Sequence, residues 1–272
     1  MHPHDLERQL TEAPHVVKPV PAPFSSIPGG REIRGVLFDI DDTLVDTRVA
    51  FRHALERIAA LHLPQPQSPD VLGAFWRADR HGHYRAFTRG EIDYRAQRML
   101  RANDLHAQFG GPEMSDDDYD VWNADFELFF REGWRPHADA AAALDALDAI
   151  GVPYGALSNA AHAYQEEKLA ACGLERMPVL VGVDTLGFGK PDPRVFALAC
   201  ERLGVPARHV AYVGDELDID ATAAVAAGLA LGVWLDRSTE ANRTGAPASG
   251  NLPSRVARVA SLDELPAVLH ET

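Results

Sequence analysis

The sequence predicts an α/β fold: a Rossmann-like parallel sheet with helices on both faces, plus an inserted all-helical domain. Three observations carry this. Short apolar runs recur at Gly35–Phe38, Tyr154–Leu157, Val179–Val183, Val210–Val213 and Leu231–Leu235. Runs of this kind read as strands buried on both faces. From residue 135 onward they alternate with helical stretches, the pattern of a parallel sheet covered on both sides. Between the first run and the second, residues 46–134 show helical spacing and no strand.

Residues 1–31 carry Pro3, Pro14, Pro19, Pro21, Pro23 and Pro28 and end in Gly29-Gly30, which reads as an extended tail. The first strand runs into Asp39-Ile40-Asp41-Asp42-Thr43. Asp46 or Thr47 then caps a helix reaching about residue 62, with Val49, Leu55, Ile58, Ala59 and Leu61 on one face and Pro64, Pro66 and Pro69 as its stop. Further helices are expected near 70–87, 91–105 and 116–132. A helix over 138–149 ends at Gly151 and Pro153, and the second strand follows. Helices at 161–172, 193–203 and 218–227 separate the remaining strands, the first two stopped by Gly173 and Gly204. Residues 238–254, rich in Ser, Thr, Asn, Gly and Pro, read as a loop, with a short helix near 262–269. The expected organisation is a tail (1–31), a discontinuous core domain (32–45 and 135–272) and a helical domain (46–134).

The formal net charge of −14 disfavours nucleic acid as a partner, because such binders need a basic face. An anionic substrate stays compatible, since a local cation reverses the field inside an acidic protein. Cys172 and Cys200 form no CxxC and read as buried thiols of a reducing compartment. No apolar run is long enough to span a membrane, and the N-terminus lacks a signal-peptide core. A cytoplasmic monomer or homodimer with no membrane partner is expected.

Candidate chemistry gathers at the carboxyl ends of the strands, where ligands bind in open α/β sheets. Asp39 and Asp41 stand two apart, on one face of an extended segment. One carboxylate can serve as nucleophile and the other as general acid and base, with a hard Mg²⁺ offsetting their repulsion. An acidic turn after a strand would look the same. The second strand ends in Ser158-Asn159, a hydroxyl and an amide suited to phosphate oxygens, though both also cap helices. The third is followed by Lys190, in a chain whose lysines are Lys18, Lys168 and Lys190. An ammonium there would neutralise a nucleophilic carboxylate and phosphoryl oxygens; a solvated loop lysine is the plain alternative. The fourth strand delivers Asp215, with Asp220 behind it, although acidic residues also favour a helix start. Four strand ends carrying nucleophile, hydroxyl, cation and carboxylates in order make accident the weaker explanation.

In these motifs the sequence resembles the haloacid dehalogenase-like (HAD) superfamily. They are Phe38-Asp39-Ile40-Asp41-Asp42-Thr43-Leu44, Leu157-Ser158-Asn159, Gly189-Lys190-Pro191-Asp192-Pro193 and Val213-Gly214-Asp215-Glu216-Leu217-Asp218-Ile219-Asp220. The resemblance spans about residues 33–235 and matches the branch with a helical cap after the first strand. It implies a sheet order of 5-4-1-2-3 and a Mg²⁺-dependent phosphatase acting on a small phosphorylated molecule. By resemblance, Asp39 becomes an aspartyl-phosphate, and Asp41 protonates the leaving group and then activates water. Thr43, Ser158, Asn159 and Lys190 bind the phosphoryl group. Mg²⁺ is held by the Asp39 side chain, the Asp41 carbonyl and Asp215, with Asp220 supporting Lys190 or the metal's waters.

Asp41 is the informative residue, because haloacid dehalogenases lack an aspartate there and a departing halide needs no proton. The absence of lysine from 46–134 argues against phosphonatase chemistry, which uses a cap lysine. Glu216 departs from the Ser or Asn more usual after Asp215. A phosphomutase of the β-phosphoglucomutase kind shares the core chemistry. A phospho-acceptor signalling module or a non-catalytic binding protein fits less of the pattern. Trp76–Arg85, with Arg77, Arg80 and Arg85, offers either an anionic-substrate contact or a solvated helix face, and His162 reads as surface structure.

Overall fold

In the computed structural model, residues 32–238 and 252–270 are described; the tail at 1–31 and most of the loop at 238–254 lie outside them. Among the described residues six strands form one parallel sheet: β1 (Gly35–Phe38), β2 (Tyr154–Leu157), β3 (Leu180–Val181), β4 (Val210–Gly214), β5 (Leu231–Leu235) and β6 (Val256–Val259). Their order is β3-β2-β1-β4-β5-β6. The expected order is therefore present, extended at the β5 edge by a strand the sequence pattern does not reveal. Alternate residues feed two separate cores: Val36 and Phe38 of β1 point into one, Leu37 into the other, and Ala211 and Val213 divide from Val210 and Tyr212 in the same way.

Between β1 and β2 come α1 (Thr47–His62), α2 (Pro69–Ala78), α3 (His83–Thr88), α4 (Tyr94–Phe109), α5 (Asp116–Glu132) and α6 (Ala140–Ala149). The Asp46 carboxylate caps α1 by accepting from Val49 N–H, and Ser115 with Asp118 forms a capping box on α5. The single helix expected over 70–87 is two, because Asp79 and Gly82 both turn left-handed between them. Trp76, Trp122, Phe126 and Phe130 stack through the inserted helices, Trp122 and Phe126 at 5.2 Å between centroids. The chain leaves the sheet and returns side by side: Asp46 N–H donates to Arg135 C=O (2.9 Å) and His137 N–H to Leu44 C=O (2.9 Å).

The second half of the sheet carries α7 (His162–Ala171), α8 (Pro193–Leu203), α9 (Ala223–Ala226) and α10 (Leu265–His270). A wide helical turn, Leu217–Thr222, precedes α9, so the helix expected over 218–227 begins as a π-turn. β3 is shorter than expected because Val183 N–H leaves the ladder for Ala160 C=O. Cys172 and Cys200 are buried free thiols. No helix among the described residues is long and apolar enough to cross a membrane.

Candidate active site

Asp39 follows the last residue of β1, and its N–H still donates to Val213 C=O of β4 at 2.8 Å. The ladder thus fixes its backbone beside the end of β4. Its side chain is buried, and the Lys190 ammonium reaches Asp39 Oδ1 at 2.6 Å, Asp220 Oδ1 at 2.8 Å and the Tyr212 hydroxyl at 2.8 Å. All three ammonium donors are used. Tyr212 donates onward to Leu157 C=O (2.8 Å), tying the cluster to β2. Burial alone would lower the Lys190 pKa, but Asp220 and Asp39 hold it well above the ordinary value. Asp39 is pushed up to about 8 by burial, against the pull of Lys190.

Close backbone approach makes this packing possible. Both polar atoms of Asn159 meet the Lys190 backbone: Oδ1 accepts from its N–H (2.6 Å) and Nδ2 donates to its C=O (3.0 Å). A Cβ on Gly189 would stand 2.2 Å from that Oδ1, so the motif requires glycine there. A Cβ on Gly214 would meet the Asp220 carboxylate at 2.4 Å. Asp220 Oδ2 accepts from Glu216 N–H at 3.0 Å, which occupies both of its oxygens. Both polar ends of the Asn159 amide are thus engaged by the Lys190 backbone, a contact the motif alone does not disclose.

Asp215 lies across the cleft with Arg48 of α1 on it (Nη2 to Oδ2, 3.0 Å), and Arg48 also pairs with Asp42 (Nε to Oδ2, 3.1 Å). Asp42 sits at φ 60°, a left-handed turn that aspartate tolerates. Burial first, then Asp42, Asp220 and Asp39, push Asp215 well above the carboxylate range, with Arg48 opposing. Donor oxygens of Asp39, Asp215 and Asp220 lie within 4.8 Å of one another. The residues fit a divalent cation. The donor set is all oxygen, which suits a hard ion such as Mg²⁺. The carboxylates crowd beyond what Lys190 and Arg48 offset. Asp39 Oδ2 and Asp215 Oδ1 accept no hydrogen bond among the described residues.

Asp41 turns its carboxylate elsewhere. The Lys168 ammonium donates to Oδ1, and Gln165 Nε2 donates to Oδ2 at 2.6 Å. Gln165 also donates to Ser158 Oγ at 2.6 Å, and Ser158 accepts from Ala160 N–H at 3.2 Å. Thr43 is fully buried, and its hydroxyl has no partner among the described residues. Lys168, Gln165, Tyr212 and Arg48 are the site residues that motif reading missed. For the first two a signal existed: a rare lysine three residues after a glutamine, hence on one helix face beside the Ser158 motif.

The inserted helices close on this cleft at α3. Gly189 N–H donates to Thr88 C=O (2.7 Å), and Arg85 lies 3.6 Å from Asp218. Burial raises the Tyr84 phenol, with Asp41 and Glu216 adding to the effect. Arg77 and Arg80 are exposed, Arg80 lying over the Phe75 ring, and His162 pairs with Glu166 at 3.2 Å. Of the three arginines, Arg85 alone contacts a residue of the four motifs among the described residues.

Comparison with known proteins gives the family. The family model for haloacid dehalogenase-like hydrolases matches residues 33–228. Phosphoglycolate phosphatase of Escherichia coli is 28% identical over 208 residues, covering 72% of this chain and 79% of that enzyme. (S)-2-haloacid dehalogenase of Pseudomonas putida is 27% identical over 221 residues, 78% of this chain and 88% of that enzyme. The Bacillus subtilis protein YfnB, described as a HAD hydrolase and solved with magnesium bound, superposes with a TM-score of 0.70 at 23% identity, over 87% of this chain and 98% of that one. With its four motifs gathered at one end of a parallel sheet, the chain belongs to the haloacid dehalogenase-like hydrolases.

Proposed function

We propose that the chain is a Mg²⁺-dependent phosphatase that hydrolyses a small phosphomonoester through an aspartyl-phosphate, with the helices of 46–134 as a cap over the site. The carrying observation is Asp41, an aspartate two residues past Asp39 whose carboxylate is held in place by Lys168 and Gln165. An alkoxide leaving group needs a proton, and a halide does not. Similarity to a phosphoglycolate phosphatase supports the same reading.

Lys190 holds Asp39 Oδ1, which leaves Oδ2 to attack phosphorus. As the phosphorus–alkoxide bond breaks, Asp41 gives its proton to the departing oxygen. Asp41, now a carboxylate, takes a proton from the water that attacks the aspartyl-phosphate. Phosphate leaves, and both aspartates are restored. Ser158 and Thr43 orient phosphoryl oxygens, and Asn159 keeps Lys190 in register. Asp39 and Asp215 would hold the metal, with the Asp41 carbonyl beside them and Asp220 behind Lys190. When bound, the metal supplies positive charge against the phosphoryl oxygens.

The similarity to haloacid dehalogenases favours a second reading, displacement of halide by the same Asp39. A phosphomutase would return the phosphoryl group to a substrate instead of to water. One experiment separates the three: phosphate release, halide release and isomerised phosphate ester, read by ³¹P NMR, from a panel of sugar phosphates and other phosphomonoesters, including 2-phosphoglycolate, and 2-haloacids, with Mg²⁺ or EDTA, for wild type and Asp39→Asn. The expected result is Mg²⁺-dependent phosphate release that falls roughly 10³-fold or more in the variant. Halide release without phosphate release would overturn the proposal, as would wild-type turnover in Asp39→Asn.

A further inference from the structure

Lys168 is 1% exposed and Gln165 is 0% exposed, yet both reach the same carboxylate. They stand three apart on α7 and so project from one helix face. Each binds a different oxygen of Asp41, and Gln165 spends its second N–H on Ser158. The amide nitrogen faces both of these acceptors, Asp41 Oδ2 and Ser158 Oγ. It leaves Gln165 Oε1 buried with no partner among the described residues, a cost sustained for the sake of the two N–H bonds.

The surroundings of Lys168 confine it to this partner. Its ammonium lies 5.2 Å from the Tyr164 ring centroid and 5.7 Å from those of Phe130 and Trp134. Aromatic faces attract a cation but accept no strong hydrogen bond. Asp41 is then its one carboxylate among the described residues. Phe130 lies in the last turn of α5, and Trp134 lies on the segment that rejoins the sheet, next to Arg135, whose carbonyl pairs with Asp46 N–H. The box that holds Lys168 is thus built partly where the inserted helices return.

We propose that Lys168 and Gln165 are positioning residues, which fix the Asp41 carboxylate by both oxygens so that its remaining lone pairs face the leaving group. A carboxylate has about four acceptor positions. Lysine and glutamine take one on each oxygen, and one on each remains for the proton in transit. Resting on the phosphatase reading above, this gives the acid–base step its geometry without either residue touching substrate.

The test compares kcat/KM for an alkyl phosphomonoester and for p-nitrophenyl phosphate in Lys168→Met, Gln165→Leu and Lys168→Arg. Phenolate departs with little help from a general acid, and an alkoxide does not. Lys168→Met is expected to lose roughly 10²-fold on the alkyl ester but less than about 10-fold on the aryl ester. Lys168→Arg should recover part of the alkyl activity. Equal losses on both esters would show a merely structural role and overturn the proposal, and so would no loss on either. Should Lys168→Met not fold, Gln165→Leu is judged by the same ratio. Should wild type turn over neither ester, the phosphatase reading fails separately. Crystal structures of wild type and Gln165→Leu then decide: an Asp41 carboxylate in a changed rotamer supports positioning, and an unmoved one overturns it.

Discussion

Two buried lysines serve the two aspartates of one motif, and their surroundings differ in kind. Lys190 faces two buried carboxylates and a phenol that passes its hydrogen bond to the sheet. Lys168 faces one carboxylate whose side chain is 35% exposed, and three aromatic rings. The first ammonium balances charge that has nowhere else to go; the second orients a group that water can also reach. Methionine at each position therefore separates them. Lys190→Met leaves Asp39 and Asp220 buried without their cation and should cost about 3–5 kcal/mol of stability. Lys168→Met keeps a flexible apolar stem in an aromatic box and frees Asp41 to water, so its cost should stay below about 1 kcal/mol. Urea unfolding of both variants, followed by circular dichroism, checks this. Equal costs would break the contrast.

The same contrast explains how far the sequence could be read. Lys190 was legible because it stands in a loop motif after a strand, with glycine and proline marking its place. Lys168 carried only a faint signal, its rarity and its spacing from Gln165, because a lysine within a helix carries the same letter whether it faces solvent or a carboxylate. Its burial depends on Phe130 and Trp134, which no local pattern around residue 168 contains. The fold divides similarly. β1, β2, β4 and β5 are fully buried apolar runs and were read directly. β6 is largely half-buried, carries Arg258 and follows a polar loop, so only its pairing with β5 makes it a strand. The break between α2 and α3 turns on Asp79 adopting φ 38°, a choice aspartate permits and does not announce.

A third buried ion pair, remote from the motifs in sequence, calibrates the cost of an engaged carboxylate. Asp139 accepts from Arg237 at 2.8 Å through both oxygens, and also from Ser261 Oγ and Leu262 N–H at 2.9 Å. Burial works to raise its pKa, but these four bonds win and hold it at about 2. A carboxylate depressed in the folded state stabilises above its unfolded pKa and loses that contribution as pH falls through the folded one. Asp139→Asn should thus be less stable than wild type by roughly 2 kcal/mol at pH 7. The gap should narrow between pH 4 and pH 2 as wild type loses the same term. A gap independent of pH across that window would mean that packing, not charge, carries the site.

Exposed cations complete the series at its small end. Arg77 and Arg80 lie in the stretch whose composition offered an anionic-substrate contact, and both are exposed. Arg85 reaches Asp218 at 3.6 Å, but its side chain is 59% exposed. Water already solvates such groups, so an exposed pair contributes little to stability, at most about 1 kcal/mol. Any effect on catalysis must come through closure of α3 over the loop of Lys190. Arg77→Ala and Arg80→Ala should leave kcat/KM within about 2-fold of wild type, and Arg85→Ala should lower it less than about 10-fold, mainly through KM. A large kcat loss in Arg80→Ala would instead assign the basic face to the chemistry, and cation placement in this cleft would then extend beyond Lys190, Lys168 and Arg48.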